Sequence, residues 1–140
     1  MNSKDPIDIQ QVADIARRAG DEIMQVYQRE FDVTHKGDGS PLTEADLAAH
    51  RLIVNNLRDM QPALPILSEE SRDIAYQERA AWQRYWLVDP LDGTREFVNR
   101  NGEFTVNIAL IENGAPRLGV VYAPVHDILY QGSAEHGAWR

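Results

Sequence analysis

Two carboxylates, Asp89 and Asp92, sit three residues apart at the end of the apolar run Trp86-Leu87-Val88. Pro90 stiffens the link between them, and Gly93-Thr94 follows directly. This is a layout for holding hard cations against a phosphate. Mg²⁺ takes near-octahedral oxygen coordination, usually from a few carboxylates, waters and substrate phosphate. Carboxylates at i and i+3 around a proline can converge on a pair of ions, and the Leu91 carbonyl between them can serve as a further ligand. Amides from Gly93 onward, at an expected helix start, suit a bound phosphate through hydrogen bonds and dipole. Asp-Pro and Asp-Gly are also ordinary turn dipeptides. The pattern D-P-x-D-G-T has five fixed residues at about 5% usage each, so chance yields it in a chain of this length only about once in 10⁴–10⁵ sequences.

Three further acids come into question. Glu69 follows a short apolar run; alone it reads as a surface acid. If that run lies parallel to the strand before Asp89, both acids reach the same sheet end, and Glu70 then points elsewhere into solvent. Asp46 stands three residues after Thr43 and reads two ways: as the N3 acid of a capping box, or as a partner of Thr94 in handling the proton of a metal-bound water. The histidines His35, His50, His126 and His136 show no ligand spacing and read as surface or structural. Trp82, Tyr85 and Trp86 read as packing rather than base stacking. Lys36, beside a Gly-rich loop, is weak evidence for a phosphate contact.

The elements that must position these residues follow from periodicity and turn chemistry. Asp5-Pro6 predicts a helix start. Val12, Ile15, Ala16, Ala19, Ile23, Val26 and Tyr27 then recur at helical spacing to about Gln28, with Gly20 marking close packing. Residues 31–36 predict a short strand and 37–41 a loop. Thr43 caps a second helix with Leu47, Ile53, Val54, Leu57 and Met60 on its apolar side. Short strands are expected at 64–67 and 85–88, with a polar loop and a helical turn over 71–84. Strands at 104–111 and 117–122 are joined through Asn113-Gly114, a hairpin signal, and another strand covers 128–131. Two helices followed by these strands predict an α+β class, with the helices packed on a mostly antiparallel sheet.

The bulk numbers agree with that chemistry and exclude others. The 140 residues suffice for one domain with a real core. The formal charge of −8 comes from 22 acidic and 14 basic residues, with no basic stripe for a nucleic acid polymer. An acidic protein that handles phosphate esters needs cations to offset its own field. No cysteine is present, which excludes disulfides and thiolate metal sites. No apolar run approaches a membrane span and no secretory h-region is visible, so a cytoplasmic protein is expected.

The motifs together resemble a known family. W-L-V-D-P-L-D-G-T-R-E-F is similar to the signature of the lithium-sensitive, magnesium-dependent inositol monophosphatase superfamily. P-L-T-E-A-D (41–46) and L-S-E-E (67–70) resemble its two upstream motifs, in the right order. The run D-G-T-R-E-F-V-N-R-N-G-E-F-T-V-N-I-A-L-I, followed by G-V-V-Y-A-P, resembles its bacterial 3′(2′),5′-bisphosphate nucleotidase branch, and the likeness spans positions 12 to 139. The resemblance implies the N-terminal half of a layered α/β sugar-phosphatase fold, whose second half supplies a further metal-binding aspartate and much of the nucleoside pocket. It implies two or three Mg²⁺, with Glu69, Asp89 and the Leu91 carbonyl on one ion and Asp89 and Asp92 on the second. It implies phosphate contacts from Glu69 and from Leu91, Asp92, Gly93 and Thr94, and Asp46, Glu69 and Thr94 orienting or activating the attacking water. The implied reaction removes the 3′-phosphate of adenosine 3′,5′-bisphosphate, in sulfate assimilation. The alternatives are an inositol monophosphate or sugar bisphosphate phosphatase, and an inactive fragment that binds cation or phosphate weakly. A nucleotide substrate is the implied partner, self-association is expected where the first half stands alone, and the resemblance admits peripheral contact with the inner membrane.

Overall fold

The computed structural model describes residues 7–29, 33–35, 41–68, 78, 80–135 and 137–140. Helix α1 (Ile9–Tyr27) begins at Asp8, whose carboxylate accepts from the Gln10 amide at 2.9 Å. The helix start therefore falls three residues after the expected one, where a side-chain acceptor meets an orphan N–H; Asp5 and Pro6 lie outside the described residues. Val12, Ala13, Ile15, Ala16, Ala19, Ile23 and Val26 form its buried stripe. Strands β1 (Val33–His35) and β2 (Pro41–Thr43) pair antiparallel, so Pro41 opens a strand where a loop was expected.

Helix α2 (Glu44–Arg58) starts at Thr43 through a complete capping box with Asp46. Its buried residues are Ala45, Asp46, Ala49, Ile53, Val54 and Leu57. Leu47, expected on the apolar side, is instead 38% exposed. It lies two residues from both Ala45 and Ala49, which at about 100° per residue turns it onto the other flank. Arg29 and Glu44 form a bidentate pair at 2.8 and 2.7 Å that ties the end of α1 to the start of α2. The guanidinium's hydrogen bonds hold the Glu44 carboxyl below the usual carboxylate range.

Strand β3 (Ile66–Ser68) pairs parallel with β4 (Arg84–Asp92), in register Ser68 to Val88. Helix α3 (Thr94–Val98) follows β4. Strands β5 (Thr105–Glu112), β6 (Ala115–Ala123), β7 (Ile128–Ser133) and β8 (Gly137–Trp139) continue antiparallel, giving the six-strand order β3-β4-β5-β6-β7-β8. Asn113 and Gly114, at φ 52° and 81°, make the β5–β6 turn that matches strand twist. Strand β8 was not expected: three residues, one of them glycine, carry no alternation to read.

Helices α1 and α2 cover one sheet face, burying Trp86, Val88, Val106, Ile108, Leu110 and Val120. Each fully buried side chain of this size stabilises the fold by roughly 1.5–3 kcal/mol. On the other face, Leu87 and Tyr130 are 42% and 48% exposed. No described helix is long and apolar enough to cross a membrane.

Gly20 lets α1 approach β6. A Cβ there would meet Tyr122 ring carbons at 2.5 and 2.7 Å and Pro124 at 3.3 Å. The ring cannot easily swing away, because Tyr122 is buried and its hydroxyl donates to Asp127 at 2.7 Å. Burial first, and then that bond, push the phenol up to about 12. Gly20→Ala gains up to about 1 kcal/mol of helix propensity but overpacks the contact, which typically costs about 1–3 kcal/mol. A thermal melt should show net destabilisation; a variant as stable as wild type would contradict this packing.

Candidate active site

In a regular strand, residues three apart point to opposite faces. Asp89 and Asp92 do not, because β4 carries an extra residue between them. Asp89 is opposite Asn107 and Asp92 is opposite Thr105, so β4 takes three steps where β5 takes two. This bulge brings both carboxylates to one cavity of about 400 Å³, whose lining includes Asn107, Ala109 and Val121. Asp89 is half-buried and Asp92 exposed. Pro90 fits the irregularity, since it has no ladder N–H to leave unpaired.

After the bulge the chain turns through Gly93 at φ +96°, where a Cβ would meet the Glu103 carbonyl at 2.9 Å and Phe104 Cα at 3.3 Å. Only glycine accepts both the conformation and the contact. Helix α3 then starts at Thr94. Its far end is anchored by Phe97, whose ring centroid lies 5.2 Å from those of both Tyr27 and Phe104. Arg100 adds hydrogen bonds to the carbonyls of Tyr27 and Arg29 just beyond α1.

The Thr94 hydroxyl lies 2.9 Å from Asp46 Oδ1 and 3.3 Å from the Leu91 carbonyl. Its single proton goes to the nearer, charged acceptor, which leaves the Leu91 carbonyl and the Thr94 lone pairs for other partners. Asp46 is fully buried. Its Oδ2 accepts from the Thr43 amide at 3.0 Å and the Thr43 hydroxyl at 2.7 Å. The capping and Thr94-pairing arrangements of Asp46 thus coexist, one on each oxygen.

The parallel pairing of β3 and β4 sets Ser68 beside Val88, so the residues that follow them in sequence are Glu69 and Asp89. Glu69 and Glu70 lie outside the described residues, as do Lys36 and His136. Among the described residues no cluster of three or more His, Cys, Asp or Glu could hold a metal; the described contribution is Asp89, Asp92 and the Leu91 carbonyl. As side-chain and carbonyl oxygens these are hard donors, of the type Mg²⁺ takes; their service as ligands is part of the proposal below. Trp86 is fully buried, and Trp82 packs on Tyr85 at 5.7 Å.

Two features of the site escaped the sequence reading. Asn107 and Thr105 face the acids across the ladder, the Asn107 amide donating to the Thr105 hydroxyl at 3.0 Å; their signal is a pair of polar residues alternating with Val106 and Ile108. His50, read as surface or structural, is a half-buried structural residue, and what the sequence did not show is its partner, Ser68 Oγ, 2.9 Å from Nδ1.

Comparisons with known proteins converge. The inositol monophosphatase family matches residues 5–140. The 3′(2′),5′-bisphosphate nucleotidase CysQ of Escherichia coli K12 is 57% identical over 134 residues, covering 94% of this chain and 54% of its own. The crystal structure of CysQ from Bacteroides thetaiotaomicron superposes with a TM-score of 0.78 at 44% identity, over 92% of this chain and 46% of that one. That of the extragenic suppressor protein suhB from Bartonella henselae gives 0.82 at 32% identity, over 94% and 50%. The chain spans about half the length of these relatives.

Asp46→Asn tests the hub. An amide can accept with one oxygen only, so its NH₂ must face either Thr43 or Thr94, and the charge-assisted bonds on that side are lost, the Thr94 hydroxyl being left with the Leu91 carbonyl at 3.3 Å. Such a loss costs about 1–3 kcal/mol, and chemical denaturation should show it. Thr94→Val in the same background should then cost less than it does in wild type, because the partner is already compromised. Wild-type stability for Asp46→Asn would contradict the three bonds.

Proposed function

The chain belongs to the inositol monophosphatase family, and we propose that it forms the phosphate-handling half of a magnesium-dependent phosphomonoesterase that converts adenosine 3′,5′-bisphosphate to AMP and phosphate. The observation that carries the reading is the bulged pair Asp89 and Asp92, followed three residues after Leu91 by a Thr94 hydroxyl fixed on buried Asp46. The substrate follows from likeness to the CysQ nucleotidases at 57% identity. A cytoplasmic role in sulfate assimilation, clearing the by-product of activated sulfate use, goes with that substrate.

In this reading Glu69, Asp89 and the Leu91 carbonyl would hold one Mg²⁺, and Asp89 and Asp92 would hold a second. Bound magnesium would neutralise the phosphoryl oxygens and lower the pKa of water. Thr94, its proton committed to Asp46, accepts a hydrogen bond from the attacking water and orients it. Glu69 would take the other proton, and the Asp46 carboxylate keeps the Thr94 hydroxyl turned as an acceptor toward the water. The Gly93 and Thr94 amides receive the phosphoryl oxygens, which carry charge through an in-line displacement. Asp46→Asn therefore lowers kcat as well as stability.

The test is phosphate release from adenosine 3′,5′-bisphosphate, inositol 1-phosphate and a sugar bisphosphate, compared by kcat/KM in a protein that carries this chain at full family length. The nucleotide should lead by at least about tenfold, or 1.4 kcal/mol. A lead for either other substrate would reassign the specificity while keeping the phosphatase. In the same protein Asp89→Asn should remove nearly all activity and leave the fold intact, because one carboxylate serves both ions. Activity within about tenfold of wild type at saturating Mg²⁺ would end the bridging role.

Residues 1–140 expressed alone should turn over negligibly. The sheet face carrying Leu87 and Tyr130 is exposed apolar surface that we assign to the length the relatives have beyond the matched half. Deprived of it, two copies should cover one another. Light scattering and phosphate release on the isolated chain decide this; an active monomer would overturn both statements.

A further inference from the structure

We propose that His50 is a positioning residue, holding the end of β3 through its hydrogen bond to Ser68 and so fixing where the chain enters the segment that begins with Glu69. This rests on the phosphatase reading for its functional meaning and on geometry for its substance. Strand β3 has three residues and, among the described residues, lies at the sheet edge and pairs with β4 alone. A short edge strand of this kind frays readily. Ser68 is its last residue, and it is buried to 1% exposure although polar. A buried hydroxyl requires a partner, and His50 Nδ1 supplies one at 2.9 Å from the half-buried side of α2.

The position of His50 on the helix gives the bond its significance. His50 follows Asp46 by four residues, so both lie on one face of α2, a single turn apart. Asp46 reaches Thr94, just past the end of β4. His50 reaches Ser68, at the end of β3. One rigid helix, packed through Ala49, Ile53 and Leu57, thus grips both parallel strands where they run out. Asp89 and Glu69 are the residues next after Val88 and Ser68, which face each other in the ladder. The ends of β3 and β4 are thus held by two side chains whose helix positions are about 6 Å apart along the axis, in addition to the pairing of a three-residue strand.

The test compares His50→Ala, His50→Asn and Ser68→Ala in the whole chain, reading amide hydrogen exchange by NMR without metal. His50→Ala and Ser68→Ala should each speed exchange at Ser68 and the residues just after it by about tenfold. Residues 91–94 and the buried turns of α2 should keep wild-type rates. Asn places a polar atom where Nδ1 stood, and should recover part of the protection. Unchanged exchange at Ser68, or loss spread evenly over α2 and the sheet, would overturn the proposal. Should His50→Ala fail to fold, Ser68→Ala removes the same bond while leaving the ring packed, and the same criteria apply.

The second readout is the Mg²⁺ concentration at half-maximal phosphate release. Loss of support behind a metal ligand should raise it about tenfold in both variants, with KM for the nucleotide unchanged. An active wild type whose variants keep the same Mg²⁺ requirement would overturn the positioning role. A wild type inactive on every phosphomonoester would instead overturn the phosphatase reading, and the exchange data would still decide whether His50 holds β3.

Discussion

The extra residue in β4 between Asp89 and Asp92 is the constraint on which the site turns. A strand alternates its side chains strictly, so two acids separated by two residues would straddle the sheet. With three steps on β4 against two on β5, both reach one cavity. The bulge also ends the ladder and redirects the chain, through Gly93, toward the helix side of the sheet where Thr94 meets Asp46. Proline at position 90 and glycine at 93 therefore belong to one device. The first occupies the irregular stretch without an unpaired N–H, and the second permits a left-handed turn against the backbone at 103–104.

Asp46 shows why a structural and a chemical role need not compete. One oxygen closes the capping box of α2, and the other holds the hydroxyl of α3's first residue. Burying a carboxylate is expensive unless hydrogen bonds repair its lost hydration, and three donors do so here. Because the same charge stabilises a helix start and aims Thr94, local order at the site is coupled to the stability of the fold. Arg29–Glu44 and the Arg100 contacts reinforce the same junction from the end of α1.

Much of this was legible because it is local. Thr43 with Asp46, the Asn113-Gly114 turn and the D-P-x-D-G-T run each carry their geometry within a few residues, whereas the parallel placement of β3 and β4 entered only as a condition, which the ladder meets. What stayed hidden depends on partners far away in the chain. Asp8 displaced Asp5 as the cap because tertiary packing decides where α1 begins. Leu47 faces outward because the buried stripe is set by Ala45, Ala49 and Ile53, not by its own hydrophobicity. The bulge itself is invisible until β5 is laid beside β4. His50 and Ser68 are 18 residues apart, and neither residue type announces the other. Asn107 acquires its meaning only from its ladder partner, Asp89.

The sheet face opposite the helices has two rows with opposite demands. Leu87, Ala109, Gly119, Gly132 and Ala138 follow one another across the strands, apolar and mostly small. The neighbouring row begins at Asp89 and Asn107 and becomes apolar at Val121 and Tyr130. Small side chains allow a second layer to approach closely, and exposed apolar area favours one. Carboxylates forbid the same layer from closing over them unless cations or donors come with it. The face is thus polarised from a corner that must stay wet and charged to a flank suited to burial. A covering layer that satisfies both must rise away from the sheet toward β4, and the cleft left beneath it opens where Asp89 and Asp92 converge.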